Sequence, residues 1–237
     1  MIPARLGSTR LAEKVLKSIQ GRPMIQHVWE SVRRAKRLND LIIATDHERV
    51  RQCAEGFGAK VMLTNPEHPN GTSRVAEVAE REKGDIFINI QGDEPMMHPE
   101  AVDKLAEVLT ADNSLQVATV AVRRQDQESF DNPNVVKVVL DAKGNALYFS
   151  RAPIPNWREG RDKSFTYLKH LGIYGYRRQF LLDFVRWPAS VLEQLEKLEQ
   201  LRILERGFPI RVVETAHDSL SVDTAEDLAA VEVKMGN

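Results

Sequence analysis

The residues best suited to chemistry in this chain of 237 residues form polar groups that lie far apart in the sequence. Three cations, Arg5, Arg10 and Lys14, stand close to the start, in a stretch with few apolar residues. Cations and loop amides in such a stretch can surround the oxygens of a polyphosphate. A second group, centred on Asp93, and a third, at Asp223, offer carboxylates that suit a hard cation such as Mg²⁺.

The basic stretch at the start has two interpretations. It can be a phosphate loop in which the amides of Gly7 and Ser8 assist the cations, or a solvated basic terminus. It lacks the glycine and Lys-Ser/Thr spacing of a P-loop. A phosphate loop normally follows a β-strand, and only Met1 and Ile2 are available to form one. Composition alone leaves both interpretations open.

The second group is the run Gln91-Gly92-Asp93-Glu94-Pro95, which directly follows the apolar residues 86–90. In a parallel sheet, ligands bind beyond the carboxyl ends of the strands, so a site is expected here. The alternative is a polar turn, in which Gly92 supplies backbone freedom and Pro95 restricts the exit.

Asp223 also has two interpretations. With Thr224 it can cap the last helix, or it can supply a second carboxylate to the site at Asp93. The sequence separation does not decide between them.

Further candidates lie in the second half of the chain. Arg151 and His170 could bind an acidic substrate, and Glu199 and Gln200 could bind hydroxyl groups. A histidine near a strand is more often a structural residue, and Tyr174 more often belongs to the core.

The pattern of apolar residues predicts how these groups are positioned. Residues 23–123 alternate helix and strand signals, which indicates an α/β fold with a Rossmann-like, mostly parallel central sheet flanked by helices. After residue 125 the pattern becomes β-rich, with a hairpin around residues 135–149. Ser190 and Glu193 form a capping box that predicts one helix to about Arg206.

We therefore predict a single domain over residues 1–237. Residues 1–125 form its nucleotide-binding half, residues 126–215 a β-rich excursion on the other side of the cleft, and residues 216–237 a return to the main sheet.

Composition excludes several classes of protein. The net charge of −1 argues against a general nucleic-acid binder, and Cys53, the only cysteine, excludes an intrachain disulfide. No apolar run approaches the length of a membrane span. We expect a cytoplasmic protein with no membrane or nucleic-acid partner.

Taken together, the motifs resemble the 3-deoxy-manno-octulosonate cytidylyltransferases, or CMP-Kdo synthetases. The resemblance covers essentially the whole chain in collinear order. It is carried by Pro3-Ala4-Arg5, Ser8-Thr9-Arg10, Lys14, Ala44-Thr45-Asp46-His47, Gly71-Thr72, Gln91-Gly92-Asp93-Glu94-Pro95, the segments 136–141, 146–151, 170–176 and 198–202, and Val222-Asp223-Thr224. It implies a nucleotidyltransferase fold whose β-rich excursion forms the sugar side of the cleft.

The resemblance also implies an activity: Mg²⁺-dependent transfer of CMP from CTP to the anomeric 2-hydroxyl of the acidic sugar 3-deoxy-manno-octulosonate (Kdo). The products are pyrophosphate and CMP-Kdo, a precursor of lipopolysaccharide. It implies a homodimer as well. A different acidic sugar, or a homologue that binds ligand without turnover, are the alternatives.

Residue roles follow by the same analogy. The catalytic positions are Arg10, Lys14 and Asp93. The nucleotide-binding positions are Pro3, Ala4, Arg5, Ser8, Arg10, Lys14, Gly71, Thr72, Arg74, Gln91 and Asp93. The sugar-binding positions are Gln91, Arg151, His170, Tyr174, Glu199 and Gln200. Asp93 and Asp223 are implied ligands of Mg²⁺, and Arg151 is a partner for the sugar carboxylate. Members of this family usually carry a few more apolar residues before Pro3, so we expect a longer first strand in the native protein.

Overall fold

The strands form where short apolar runs occur in the sequence. The computed structural model describes residues 1–7, 11–158 and 165–236. Its strands are β1 (Ile2–Ala4), β2 (Ser18–Ile19), β3 (Arg22–Pro23), β4 (Ile42–Thr45), β5 (Lys60–Leu63), β6 (Ile86–Asn89), β7 (Val117–Arg124), β8 (Lys137–Leu140), β9 (Ala146–Ser150), β10 (Tyr167–Arg177) and β11 (Arg211–Thr215). The short run Met1–Ala4 therefore does form a strand.

Several helices begin at residues that the sequence marks. They are α1 (Met24–Val32), α2 (Glu48–Gly56), α3 (Gly71–Arg81), α4 (Pro99–Ala111), α5 (Gln127–Asp131), α6 (Arg178–Phe184), α7 (Val191–Glu196), α8 (Leu201–Glu205) and α9 (Ala225–Gly236), with a short 3-10 turn at Lys14–Leu16. Asn70 caps α3 by accepting a hydrogen bond from Ser73 N, and Pro99 occupies the first turn of α4. No helix in the described part of the chain is long and apolar enough to cross a membrane.

The main sheet has the strand order β5–β4–β1–β6–β10–β7–β11. β1, β4 and β5 pair in parallel, and β11 is parallel to β7. Met1 joins β1 to β6, because its amino group donates to Ile88 O and its carbonyl accepts from Ile90 N. β10 runs antiparallel to both β6 and β7. The predicted mostly parallel α/β sheet is confirmed, with β10 as its antiparallel strand.

Helices cover both faces of the sheet and bury its apolar side chains. On one face, α1 and α4 pack through Ile25, Val28, Val102 and Leu105. On the other face, α3 and α6 pack through Val75, Ala79, Leu181 and Phe184. Burial of this kind contributes about 25 cal/mol for each Å² of apolar surface removed from water. This core fixes the strand ends from which the polar loops emerge.

The β-rich segment leaves the sheet as a hairpin. β8 and β9 pair antiparallel, as predicted, and β8 pairs in turn with the first half of β10. The buried ammonium of Lys137 donates to the carbonyls of Asn132, Val135 and Arg151, and so fastens both ends of the hairpin.

The prediction of one helix from Ser190 to Arg206 is wrong, because α7 and α8 are separate. Glu193 does accept a hydrogen bond from Ser190 N at 3.1 Å, as the capping box predicted. α7 ends at Glu196, and the following residue, Lys197, has a left-handed φ of 54°. The break places Glu199 and Gln200 between the two helices rather than on a helical surface.

Candidate functional site

The carboxyl ends of β1 and β6 open onto a polar pocket of about 290 Å³. Its walls come from the segment after β1, the start of α3, the loop after β6 and the loop before α9. The lining residues are Pro3, Arg5, Lys14, Val15, His68, Pro69, Asn70, Gly71, Arg74, Gln91, Gly92, Asp93 and Asp223. The tertiary structure thus brings together residues from the three sequence groups.

Lys14 and two carboxylates form the charged centre of the pocket. Lys14 Nζ lies 2.5 Å from Asp93 Oδ2 and 2.9 Å from Asp223 Oδ1. Burial lowers the pKa of Lys14, but the charges and hydrogen bonds of Asp93 and Asp223 outweigh that effect and the net shift is upward. Lys14 is therefore a cation held between two anions.

Asp223 reaches this centre because the chain returns to the loop after β6. Val222 N donates to Asp93 O at 2.9 Å, which places the two carboxylates side by side. The same aspartate also lies at the start of α9, where Asp227 accepts hydrogen bonds from the amides of Asp223 and Thr224. Two converging carboxylates are oxygen donors of the kind that Mg²⁺ prefers, so this pair fits a divalent cation.

The start of α3 lies against β1. A Cβ added at Gly71 would lie 3.0 Å from Pro3 Cγ, so a glycine permits this close approach. The buried guanidinium of Arg74 donates to Asp46 Oδ2 at 2.9 Å and Thr64 Oγ1 at 2.5 Å. Asp46 also accepts from Leu6 N, so one carboxylate connects the segment after β1 with α3.

A buried polar network adjoins the pocket on the side of the β-rich segment. Glu199 accepts from Asn70 Nδ2 at 2.8 Å, from Thr72 Oγ1 at 2.6 Å and from Arg202 Nη2 at 3.1 Å. Burial raises the pKa of Glu199 despite these donors. Asn89 Nδ2 extends the network by donating to Thr72 at 3.3 Å.

Unpaired buried atoms lie near this network. Asn89 Oδ1 and Gln200 Nε2 have no hydrogen-bond partner among the described residues, although both side chains are at least nine-tenths buried. An unpaired buried polar atom costs about 1–3 kcal/mol, so such atoms suit a polar ligand. Gln91 lies between this side and the pocket, and its Nε2 donates to Gly172 O at 3.3 Å.

Several sequence-predicted residues do not line the pocket. Arg151 donates through Nε to Glu196 O at 2.8 Å and through Nη1 to Pro133 O at 3.0 Å. His170 Nε2 lies 2.9 Å from Thr119 Oγ1, and burial lowers the pKa of His170 to about 3. Ala4, Thr72 and Tyr174 are buried within β1, α3 and β10.

Two predicted nucleotide-binding residues, Ser8 and Arg10, lie outside the described residues. Their neighbours Arg5 and Lys14 both line the pocket.

Sequence reasoning missed three residues around the pocket. His68 lines it and lies 2.5 Å from Glu77. Asn70 lines it as the cap of α3, a role that its position before Gly71-Thr72 could have indicated. Glu94 is buried beside Asp93, and burial together with that charge raises the pKa of Glu94 to about 7. The only sequence signal for Glu94 was its location in the loop after β6.

A sheet with this order, and a pocket of cations and paired carboxylates at its carboxyl edge, are typical of nucleotide-binding α/β proteins. A family model described as cytidylyltransferase matches residues 1–215. The chain belongs to the cytidylyltransferase family and is a nucleotidyltransferase.

The relatives sharpen the assignment and confirm the resemblance that the motifs indicated. The 3-deoxy-manno-octulosonate cytidylyltransferase of Geobacter sulfurreducens is 46% identical over 99% of this chain and 98% of the relative. The 3-deoxy-manno-octulosonate cytidylyltransferase of Solibacter usitatus is 49% identical over 98% of this chain and 91% of the relative. A solved structure described as CMP:2-keto-3-deoxy-manno-octonic acid synthetase complexed with CTP is 42% identical to this chain. It covers 99% of this chain and 96% of its own, with a TM-score of 0.93.

Proposed function

We propose that this enzyme transfers CMP from CTP to the anomeric 2-hydroxyl of 3-deoxy-manno-octulosonate, releasing pyrophosphate, in a Mg²⁺-dependent reaction. The observation that carries the proposal is the pocket that holds Lys14 beside the Asp93–Asp223 pair and that borders the polar network around Glu199. The names of the relatives support the same pair of substrates.

The nucleotide side of the pocket suits a triphosphate. Arg5 and Lys14 supply positive charge, and the start of α3 adds backbone amides at Asn70 and Gly71. Phosphoryl transfer depends mainly on positioning and charge neutralisation, and these groups provide both. Arg74 is held by Asp46 and Thr64, so its role is to fix the wall that faces the nucleotide.

The other side suits a polyhydroxylated acid. Glu199 can accept hydrogen bonds from sugar hydroxyls, and the unpaired Asn89 Oδ1 and Gln200 Nε2 can accept and donate further ones. Gln91 borders both sides and can position the attacking hydroxyl relative to the α-phosphorus. His170 is neutral and bound to Thr119, so a role in proton transfer is not proposed for it.

Asp93 and Asp223 would hold the Mg²⁺, which would supply charge neutralisation for the phosphates and acidify the attacking hydroxyl. The Lys14 ammonium now occupies the position between these carboxylates. With a divalent cation held by these two carboxylates, the Lys14 ammonium would be available to phosphate oxygens.

The proposal is tested by incubating the protein with CTP, Mg²⁺ and one acidic sugar at a time, and measuring pyrophosphate release. We expect turnover with 3-deoxy-manno-octulosonate. Turnover only with an amino-substituted octulosonate or a sialic acid would replace the sugar assignment. Nucleotide binding without turnover on any acidic sugar would indicate a ligand-binding homologue and refute the enzymatic proposal.

Asp93→Asn tests the metal assignment. Removing one ligand charge should lower turnover by at least about 10²-fold, since even residues that only support metal ligands contribute about 10–100-fold. Asp183→Asn, the same change on α6 away from the pocket, is the matched control and should retain activity. Near-normal turnover of Asp93→Asn across a Mg²⁺ series would contradict the assignment.

A further inference from the structure

Two histidines and a glutamate converge outside the pocket described above. His98 precedes α4, Glu100 lies in its first turn, and His217 follows β11. One potential ligand atom from each residue lies within 4.8 Å of the other two. His217 Nε2 is 3.1 Å from Glu100 Oε2, and the two imidazole rings stack with centroids 3.5 Å apart.

The position of this cluster links two segments of the cleft. His98 stands at the end of the loop that carries Asp93, and His217 stands in the loop that leads to Asp223. The backbone bond from Val222 N to Asp93 O joins these loops at the pocket, and the imidazole stack joins them again further out.

We propose that His98, Glu100 and His217 bind one divalent cation of the zinc class, and that this cation ties together the two loops that carry Asp93 and Asp223. Two imidazoles and one carboxylate are a common ligand set for Zn²⁺, with a fourth position left to water. Nitrogen donors select against Mg²⁺, which prefers an all-oxygen shell. The site is thus chemically distinct from the paired carboxylates of the pocket.

One ligand of the cluster already has a fixed orientation. Glu100 Oε1 forms an ion pair with Lys104 Nζ at 2.8 Å, and Glu100 Oε2 lies towards His217. The Glu100 carboxylate is therefore already oriented by a neighbour.

Binding requires a local rearrangement of each imidazole. A metal ion lies near the plane of each imidazole that binds it, whereas the two rings are stacked with an interplanar angle of 19°. The His217 side chain is 42% exposed and can rotate out of the stack. His98 Nδ1 accepts a hydrogen bond from Glu100 N at 3.3 Å, so the proton of the neutral ring lies on Nε2; binding through Nε2 requires that proton to move to Nδ1 and this hydrogen bond to break.

The test is a titration of chelator-treated protein with CoCl₂ at neutral pH in excess MgCl₂. Co²⁺ replaces Zn²⁺ in such sites and shows visible absorption bands, whereas the excess Mg²⁺ occupies oxygen-only sites. We expect one Co²⁺ per chain with nitrogen-ligand bands, displaced by stoichiometric ZnCl₂. Absence of such a spectrum at saturating Co²⁺ would refute the proposal.

Variants locate the binding. His217→Ala and Glu100→Gln should each weaken Co²⁺ binding by at least about 10-fold, because each removes one of three ligands. Glu107→Gln, a matched change on the exposed face of α4, and Asp223→Asn, in the pocket, should leave Co²⁺ affinity unchanged. Circular dichroism checks that each variant is folded. Unchanged affinity in His217→Ala, or equal loss in Asp223→Asn, would overturn the assignment.

Discussion

Gly92 lies at the closest contact between the loop after β6 and the first strand. A Cβ built on Gly92 would lie 2.8 Å from Pro3 O and 3.3 Å from Ile25 Cδ1. The first of these is a backbone atom in β1, which is fixed by pairing with β4 and cannot turn away. Gly92→Ala must therefore displace either β1 or the loop that carries Asp93.

The expected cost follows from this contact. Overpacking a fixed site costs about 1–3 kcal/mol. At about 2–4 °C per kcal/mol for a chain of this size, Gly92→Ala should lower Tm by roughly 2–12 °C. Turnover should fall further, by about 10²-fold, because displacing Gln91 and Asp93 by about 1 Å misaligns the groups that position the substrates.

Scanning calorimetry and the pyrophosphate assay measure these two effects. Gly56→Ala is the control, since Gly56 ends α2 and an added Cβ there meets nothing within 4 Å. That change should raise stability by up to about 1 kcal/mol, as alanine is the better helix former. If Gly92→Ala matched the wild-type Tm, the reasoning from the contact with Pro3 would be refuted.

Three further predictions concern stability. Glu94 has its pKa raised from 4.5 to about 7, so without metal the folded state loses up to about 3 kcal/mol as pH rises through that window. Denaturant melts of Glu94→Gln should show a gain over wild type at pH 8 but little at pH 4.5, and an equal gain at both would contradict this. For His170 the dependence of folding stability on pH has the opposite sign. Its pKa in the folded state is lowered to about 3, so below about pH 6.5 protonation favours the unfolded chain and stability falls. His170→Gln should therefore lose less stability at acid pH in the same melts, and an unchanged pH dependence would contradict this. Lys197→Gly should raise Tm by about 2–4 °C, because glycine adopts the left-handed backbone of this position without steric strain. Lys197→Ala should not raise Tm, and equal effects of the two changes would exclude backbone strain as the cause.

The sequence determined the elements of the central sheet and the location of the site along the chain. A run such as residues 86–90 is too short for a typical helix and is rich in β-branched and aromatic residues, which favours a buried strand, and the polar run that begins at Gln91 marks its end. The same local logic applies to α4, because Pro99 opens it. These features depend on near neighbours in the sequence, and so they can be predicted from them.

Tertiary structure decided which of two interpretations applied to distant residues. Asp223 meets Lys14 only because the chain returns beside Asp93, 209 positions after Lys14, and no local pattern encodes that approach. The break at Lys197 was equally invisible, since its residues favour a continuous helix and packing against the β-rich segment overrides that preference.

The basic segment at the start shows both contributions together. Its residue types allowed a phosphate loop or a solvated terminus, because charge and spacing alone do not fix burial. Pairing of β1 with β4 and β6 places Arg5 and Lys14 at the edge of the sheet, where Asp93 and Asp223 hold the Lys14 ammonium. The sequence supplied the cations, and long-range strand pairing placed them in a common site with the carboxylates.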